Sequence, residues 1–120
     1  MATAQINLSG SVIGLATGGK TIATSVTSAL ANGQVQQLVL QAGANTITVP
    51  TAPAPTGVVI QLPLANTSQT TLKGVTGDTG IAIGKTGFVV LNWDPTAVPA
   101  SFVLTSVSTQ TGLITELTFY

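Results

Sequence analysis

The chain has no cysteine, no histidine and no arginine in its 120 residues. Without cysteine there is no disulfide framework and no thiolate nucleophile. Without histidine there is also no imidazole base and no His/Cys set for a transition metal, so no metal or other cofactor is expected. Charge is scarce as well. Three lysines balance three acids, and charged residues make up 5% of the chain, against roughly 25% in an ordinary soluble domain. Three lysines cannot form a stripe that tracks phosphates, which argues against nucleic acid as a partner. No apolar run approaches the ~20 residues that span a bilayer. The opening MATAQINLSG lacks the basic region and unbroken apolar core of a signal peptide. The expectation is a chain assembled in a cytoplasm, with no membrane partner.

Neutral polar and β-branched residues take the place of charge. Threonine alone accounts for 21 positions, and apolar residues for 44%. Threonine and valine are stiff at the first side-chain torsion and suit a pleated surface. Alternation is sustained along the chain. QINLSGSV places Ile6, Leu8 and Val12 on one face, and KTIATSVT does the same with Ile22, Thr24 and Val26. Asn32-Gly33 is a strong hairpin signal. QVQQLVLQ changes phase near Gln36-Gln37, which predicts a bulge or a strand buried on both faces. PTAPAP reads as an extended crossing between sheets. Strand patterns follow in GVVIQLPL, TTLKGV, TGIAIG, GFVVLNW, SFVLTSVST and LITELTFY, and only VTSALANG has a weak helical look. One domain over residues 1–120 is expected, all-β: an antiparallel β-sandwich or jelly-roll-like barrel of about 8–10 short strands.

Two short motifs invite a chemical reading. Gly14 to Thr21, GLATGGKT, fits the letters of a phosphate-binding loop. That loop must run from a strand into a helix N-terminus, whereas TIATSVT after Lys20 has a strand pattern, so a hairpin turn is the better reading. Asp78-Thr79-Gly80 matches the aspartic-protease triplet, in which two carboxylates share a proton. The flanking Gly77 and Ile81 depart from that family, which has apolar residues before the aspartate and Ser or Ala after the glycine. Gly77-Asp78-Thr79-Gly80 is also good turn chemistry. Asp78, Asp94 and Glu116 are weak candidates for a glycosidase pair. Trp93 and Tyr120 are able to stack on a sugar, although aromatics at strand ends more often fill cores or interfaces. No catalytic residue is expected.

The segment TTLKGVTGDTGIAIGKTGFVVLNWDP, with PASFVLTSVST and the terminal ELTFY, resembles small β-rich structural proteins of tailed bacteriophage virions. The likeness covers roughly residues 57–120. It implies a non-enzymatic virion component, most simply a capsid decoration protein bound to the major capsid protein or another virion protein. A tail, baseplate or fibre component, with or without host-glycan binding, is the alternative, and a homodimeric aspartic protease is a distant one.

The residues themselves also point to self-association. VVI at 58–60 and FVVL at 88–91 are apolar at consecutive positions, as strands covered on both faces must be. Low charge gives little colloidal repulsion. A symmetric homo-oligomer is therefore expected, a trimer favoured, with Val58, Ile60, Phe88, Val90 and Trp93 at its interface.

Overall fold

The computed structural model describes residues 34–51 and 54–120 in full, and residues 5–12 and 20–27 as strand backbone. Ten strands run in chain order: β1 (Gln5–Val12), β2 (Lys20–Thr27), β3 (Gln34–Leu38), β4 (Gly43–Thr48), β5 (Gly57–Gln61), β6 (Thr70–Lys73), β7 (Ile81–Ile83), β8 (Phe88–Asn92), β9 (Ser101–Ser106) and β10 (Thr115–Phe119). There is no helix among the described residues. The Asn32-Gly33 turn signal and the end of VTSALANG fall outside them.

β1 and β2 form an antiparallel ribbon of their own, from Gln5 opposite Thr27 to Val12 opposite Lys20. Lys20 and Thr21 therefore open a strand, where a phosphate-binding loop requires a helix N-terminus. Gly14 to Gly19 lie outside the described residues.

The other eight strands make two four-stranded antiparallel sheets, ordered β3-β10-β5-β8 and β4-β9-β6-β7. Every step from β3 to β10 except β6–β7 crosses from one sheet to the other. This interleaving is the jelly-roll arrangement, one of the two architectures the strand pattern predicts. The proline-rich stretch does carry the chain between sheets, from β4 in one to β5 in the other. The phase change near Gln36-Gln37 has a different cause from the one expected. β3 ends at Leu38, and Leu40 turns fully into the core while its carbonyl accepts from Gln110 N at 2.8 Å. The run 38–40 is a strand end and a crossing, with no bulge.

Alternation sets which side chains meet between the sheets. Val58, Ile60, Leu117 and Phe119 project from one sheet against Ile47, Phe102, Leu104 and Ile83 of the other. Phe102 and Phe119 pack across the gap with ring centroids 6.5 Å apart and planes tilted by 49°, a favourable aromatic geometry. Leu40, Val49 and Leu62, from the connections, complete the core. One interface expectation is corrected here. Val58 and Ile60 are 0% exposed, so they are core residues and have no surface to offer another protomer.

A polar knot sits within this apolar interior. Thr70 and Ser106 are cross-strand partners on β6 and β9, and both are buried. The buried Gln110 donates from Nε2 to Thr70 Oγ1 and to Ser106 Oγ, each at 3.1 Å. Ser106 Oγ donates onward to Ser108 O at 2.6 Å. These bonds offset the desolvation cost of burying the Gln110 amide nitrogen and the two hydroxyls, and they tie the β9–β10 crossing to the sheet it leaves. Gln110 Oε1 accepts no hydrogen bond among the described residues.

Candidate functional site

Three features carry what surface chemistry the described residues have. They are a cleft at the β7/β8 side, a hollow beside Trp93, and the outer face of the β3-β10-β5-β8 sheet.

The cleft opens where β7 and β8 are the edge strands of their sheets. Leu72, Ile81, Leu91 and Phe102 form its apolar wall, and Lys73, Asp78 and Ser101 supply its polar groups. Asp78 is held by its own turn. Its Oδ2 accepts from Gly74 N at 3.1 Å and Val75 N at 2.9 Å, and its backbone N donates to Val75 O at 3.1 Å. Gly80 has φ +74°, and a Cβ there would stand 2.5 Å from Leu72 O. Both fixed residues of the Asp78-Thr79-Gly80 triplet are thus explained by the tight return from β6 to β7.

The other two acids are engaged elsewhere. Asp94 Oδ1 accepts from Thr96 Oγ1 at 2.6 Å and Thr96 N at 2.8 Å. Those bonds, the hydroxyl's first, hold its carboxyl below the usual carboxylate range. Glu116 Oε2 accepts from Gln37 Nε2 at 3.2 Å on the sheet's outer face. The three carboxylates thus sit on three different elements with three different local partners. Among the described residues no group of three or more potential ligands is placed to hold a metal ion.

The hollow beside Trp93 is lined by Pro55, Thr56, Asn92, Pro95 and Val98 among others. Trp93 packs against the core and donates Nε1–H to Pro55 O at 2.7 Å. Its indole N–H is therefore satisfied within the chain. Tyr120 is buried, 1% exposed, and unable to stack on a sugar. Its hydroxyl donates to Leu91 O at 3.0 Å, and burial pushes its phenol pKa above the ordinary value.

The outer face of the β3-β10-β5-β8 sheet is read from the register. Val35, Thr118, Val59 and Val90 form one row across the four strands, and Gln37, Glu116, Gln61 and Phe88 form the next. Val35 is 57% exposed and Phe88 63%, while Val59 and Val90 are half-buried. Of the five interface candidates, Phe88 and Val90 lie on this face, Trp93 lies at its margin against the core, and Val58 and Ile60 point the other way. Val35 and Val59 join this face without having been legible as interface residues: Val35 sits between glutamines, and Val59 sits between two apolar neighbours that hide its phase.

No protein-family model, curated protein or solved structure matches the chain.

Proposed function

We propose that this chain is a non-enzymatic structural protein of a bacteriophage virion, a capsid decoration protein that assembles as a symmetric oligomer on the particle. The observation that carries the reading is the outer face of the β3-β10-β5-β8 sheet, where two adjacent rows hold four apolar side chains and a single acid. A sheet of this kind is suited to packing on a protein partner. The engagement of Asp78, Asp94 and Glu116 in local hydrogen bonds supports a role without catalysis. The jelly roll is a recurrent choice for shell-forming and glycan-binding proteins, a fold-level analogy that adds weight to the resemblance in residues 57–120.

A second reading, a tail, baseplate or fibre component that binds a host glycan, draws on the hollow beside Trp93. Immunogold labelling of virions made from the genome that encodes this chain separates the two, and a particle map gives the position. Clusters over the head shell are the expected result. Label confined to the tail moves the chain to the second reading, and particles that lack it overturn both.

A further inference from the structure

The free edge of β8 is the surface on which the structure bears furthest. In the β5–β8 ladder Leu62 N donates to Gly87 O at 3.0 Å and Trp93 N donates to Thr56 O at 3.1 Å. Hydrogen-bonded positions recur every second residue in an antiparallel pair. Together with the register of Val58 opposite Leu91 and Ile60 opposite Val89, this turns the backbone groups of Leu91 and Val89 toward β5. The N–H and C=O groups of Phe88, Val90 and Asn92 consequently point away from the sheet, along an edge that no strand among the described residues covers.

Natural edges are usually blunted by charge, proline, brevity or irregular backbone. β7 has three residues, and three of the five residues of β3 are glutamine. β4 begins at Gly43 with φ +92°, and Asn45 Nδ2 caps Gln41 O and Gly43 O there at 3.0 and 3.2 Å. β8 reads Phe-Val-Val-Leu-Asn and has none of these protections.

The charges flanking β8 indicate what covers it. Lys85 precedes the strand in a turn held by Asn66 Nδ2 on Lys85 O at 2.6 Å and by Gly87 N on Gly84 O at 2.8 Å. Asp94 follows it in a turn closed by Ala97 N on Asp94 O at 2.9 Å and by Thr96 on its carboxylate. A strand with a cation before it and an anion after it is complementary to itself in antiparallel orientation. In parallel orientation like charges would meet.

We infer that two copies of this chain pair antiparallel through their β8 edges about a two-fold axis at Val90, joining two four-stranded sheets into one of eight strands. Val90 faces Val90 of the second copy, and Phe88 faces the second copy's Asn92. The Lys85 turn of each copy lies beside the Asp94 turn of the other. On the outer face, the apolar row through Val59 and Val90 continues unbroken across the axis. Such a contact is isologous and yields dimers or even-numbered assemblies, unlike the trimer favoured on the sequence alone. It depends on the β8 edge and not on the chain's place in a virion.

Val90→Pro tests it directly. Its N–H is not used by β5, so proline is tolerated in the protomer but removes the central donor of the pair. Sedimentation equilibrium at high micromolar concentration is expected to give twice the chain mass for the wild type and a single chain mass for Val90→Pro, with the thermal midpoint nearly retained. A cysteine-free chain allows a second test that leaves the backbone intact. Opposed residues of a hydrogen-bonded antiparallel pair lie about 5.5 Å apart at Cα, within disulfide range. Val90→Cys is therefore expected to cross-link to a covalent dimer under mild oxidation, and Val35→Cys, at the far edge of the same sheet, to remain monomeric on gels. A monomeric wild type, a dimeric Val90→Pro, or equal cross-linking of the two cysteine variants overturns the inference.

Discussion

Tyr120 lies directly over Gly57. The two exchange backbone hydrogen bonds, with Tyr120 N donating to Gly57 O at 3.1 Å and Gly57 N to Tyr120 O at 3.2 Å. A Cβ built on Gly57 would stand 2.0 Å from Leu91 O and 2.5 Å from the Tyr120 hydroxyl oxygen. A glycine inside a strand usually weakens it, yet it also permits this kind of close approach. Gly57→Ala must push the Tyr120 ring off the strand or displace β8. Overpacking of this kind costs about 1–3 kcal/mol, at times more. A urea titration is expected to show the midpoint falling with the slope unchanged.

The same contact has a pH signature. Burial raises the Tyr120 phenol pKa in the folded chain, so the folded state holds its proton where the unfolded chain, with a tyrosine pKa of about 10, has begun to lose it. The associated stability is fully present below about pH 10 and is lost as the pH rises through the folded value. Tyr120→Phe also loses the hydrogen bond to Leu91 O, about 1 kcal/mol at neutral pH. The variant is expected to start lower and to fall less steeply above pH 10, as followed by chemical denaturation from pH 7 to 11. Equal slopes for the two proteins would mean that Tyr120 is not the titrating group.

Ile60 and Phe88 separate the core from the outer face. Ile60 is 0% exposed, while Phe88 is 63% exposed on the outward side of the neighbouring strand. Ile60→Ala is expected to cost about 2–5 kcal/mol through lost burial and the cavity left behind. Phe88→Ser is expected to stay within about 0.5 kcal/mol, as surface substitutions usually do. Thermal melts of the dilute proteins check both.

Much of the fold was legible because period-two alternation and glycine-rich turns mark strands locally. The order β3-β10-β5-β8 was not, since it depends on pairing between residues far apart in the chain. Val58 and Ile60 were assigned to an interface because Val59 between them is apolar as well. With both faces apolar, alternation cannot show which side meets the core. Thr70, Ser106 and Gln110 were passed over for the opposite reason. A polar residue in an alternating strand, as Thr70 and Ser106 are, reads as outward, and one in a turn, as Gln110 is, reads as solvated. Only the three-dimensional structure shows Gln110 bonding to both hydroxyls inside. The close approach at Gly57 leaves no trace in the sequence beyond a glycine at the start of an apolar run.

Gln110 is the donor that holds that buried knot together, through its two bonds to Thr70 and Ser106. Gln110→Leu keeps most of the volume and removes the amide. Unless the hydroxyls find new partners, each loses a bond where water does not reach, at a combined cost of about 1–3 kcal/mol. The variant's thermal midpoint is expected to fall, and Thr70→Val combined with Gln110→Leu to recover part of the loss, because removing both partners of a buried bond is often cheaper than removing one. A double variant as unstable as the sum of the two single ones would show that the bond does not couple them.

Asp78 decides between turn chemistry and proteolysis. Its Oδ2 accepts from Gly74 N and Val75 N, a local arrangement that shapes the return from β6 to β7. An aspartic protease instead needs its carboxylate paired with a second one that shares its proton. Asp78→Asn keeps an acceptor in the same position, so its fold and melting behaviour are expected to stay close to wild type. Asp78→Ala leaves both amides without their acceptor and is expected to loosen the turn, seen as faster amide exchange at Gly74 and Val75 and little change in the core strands. Purified wild-type protein is expected to cleave no peptide between pH 4 and 6. Pepstatin-sensitive cleavage that Asp78→Asn abolishes would sink the structural reading and make this turn an active site.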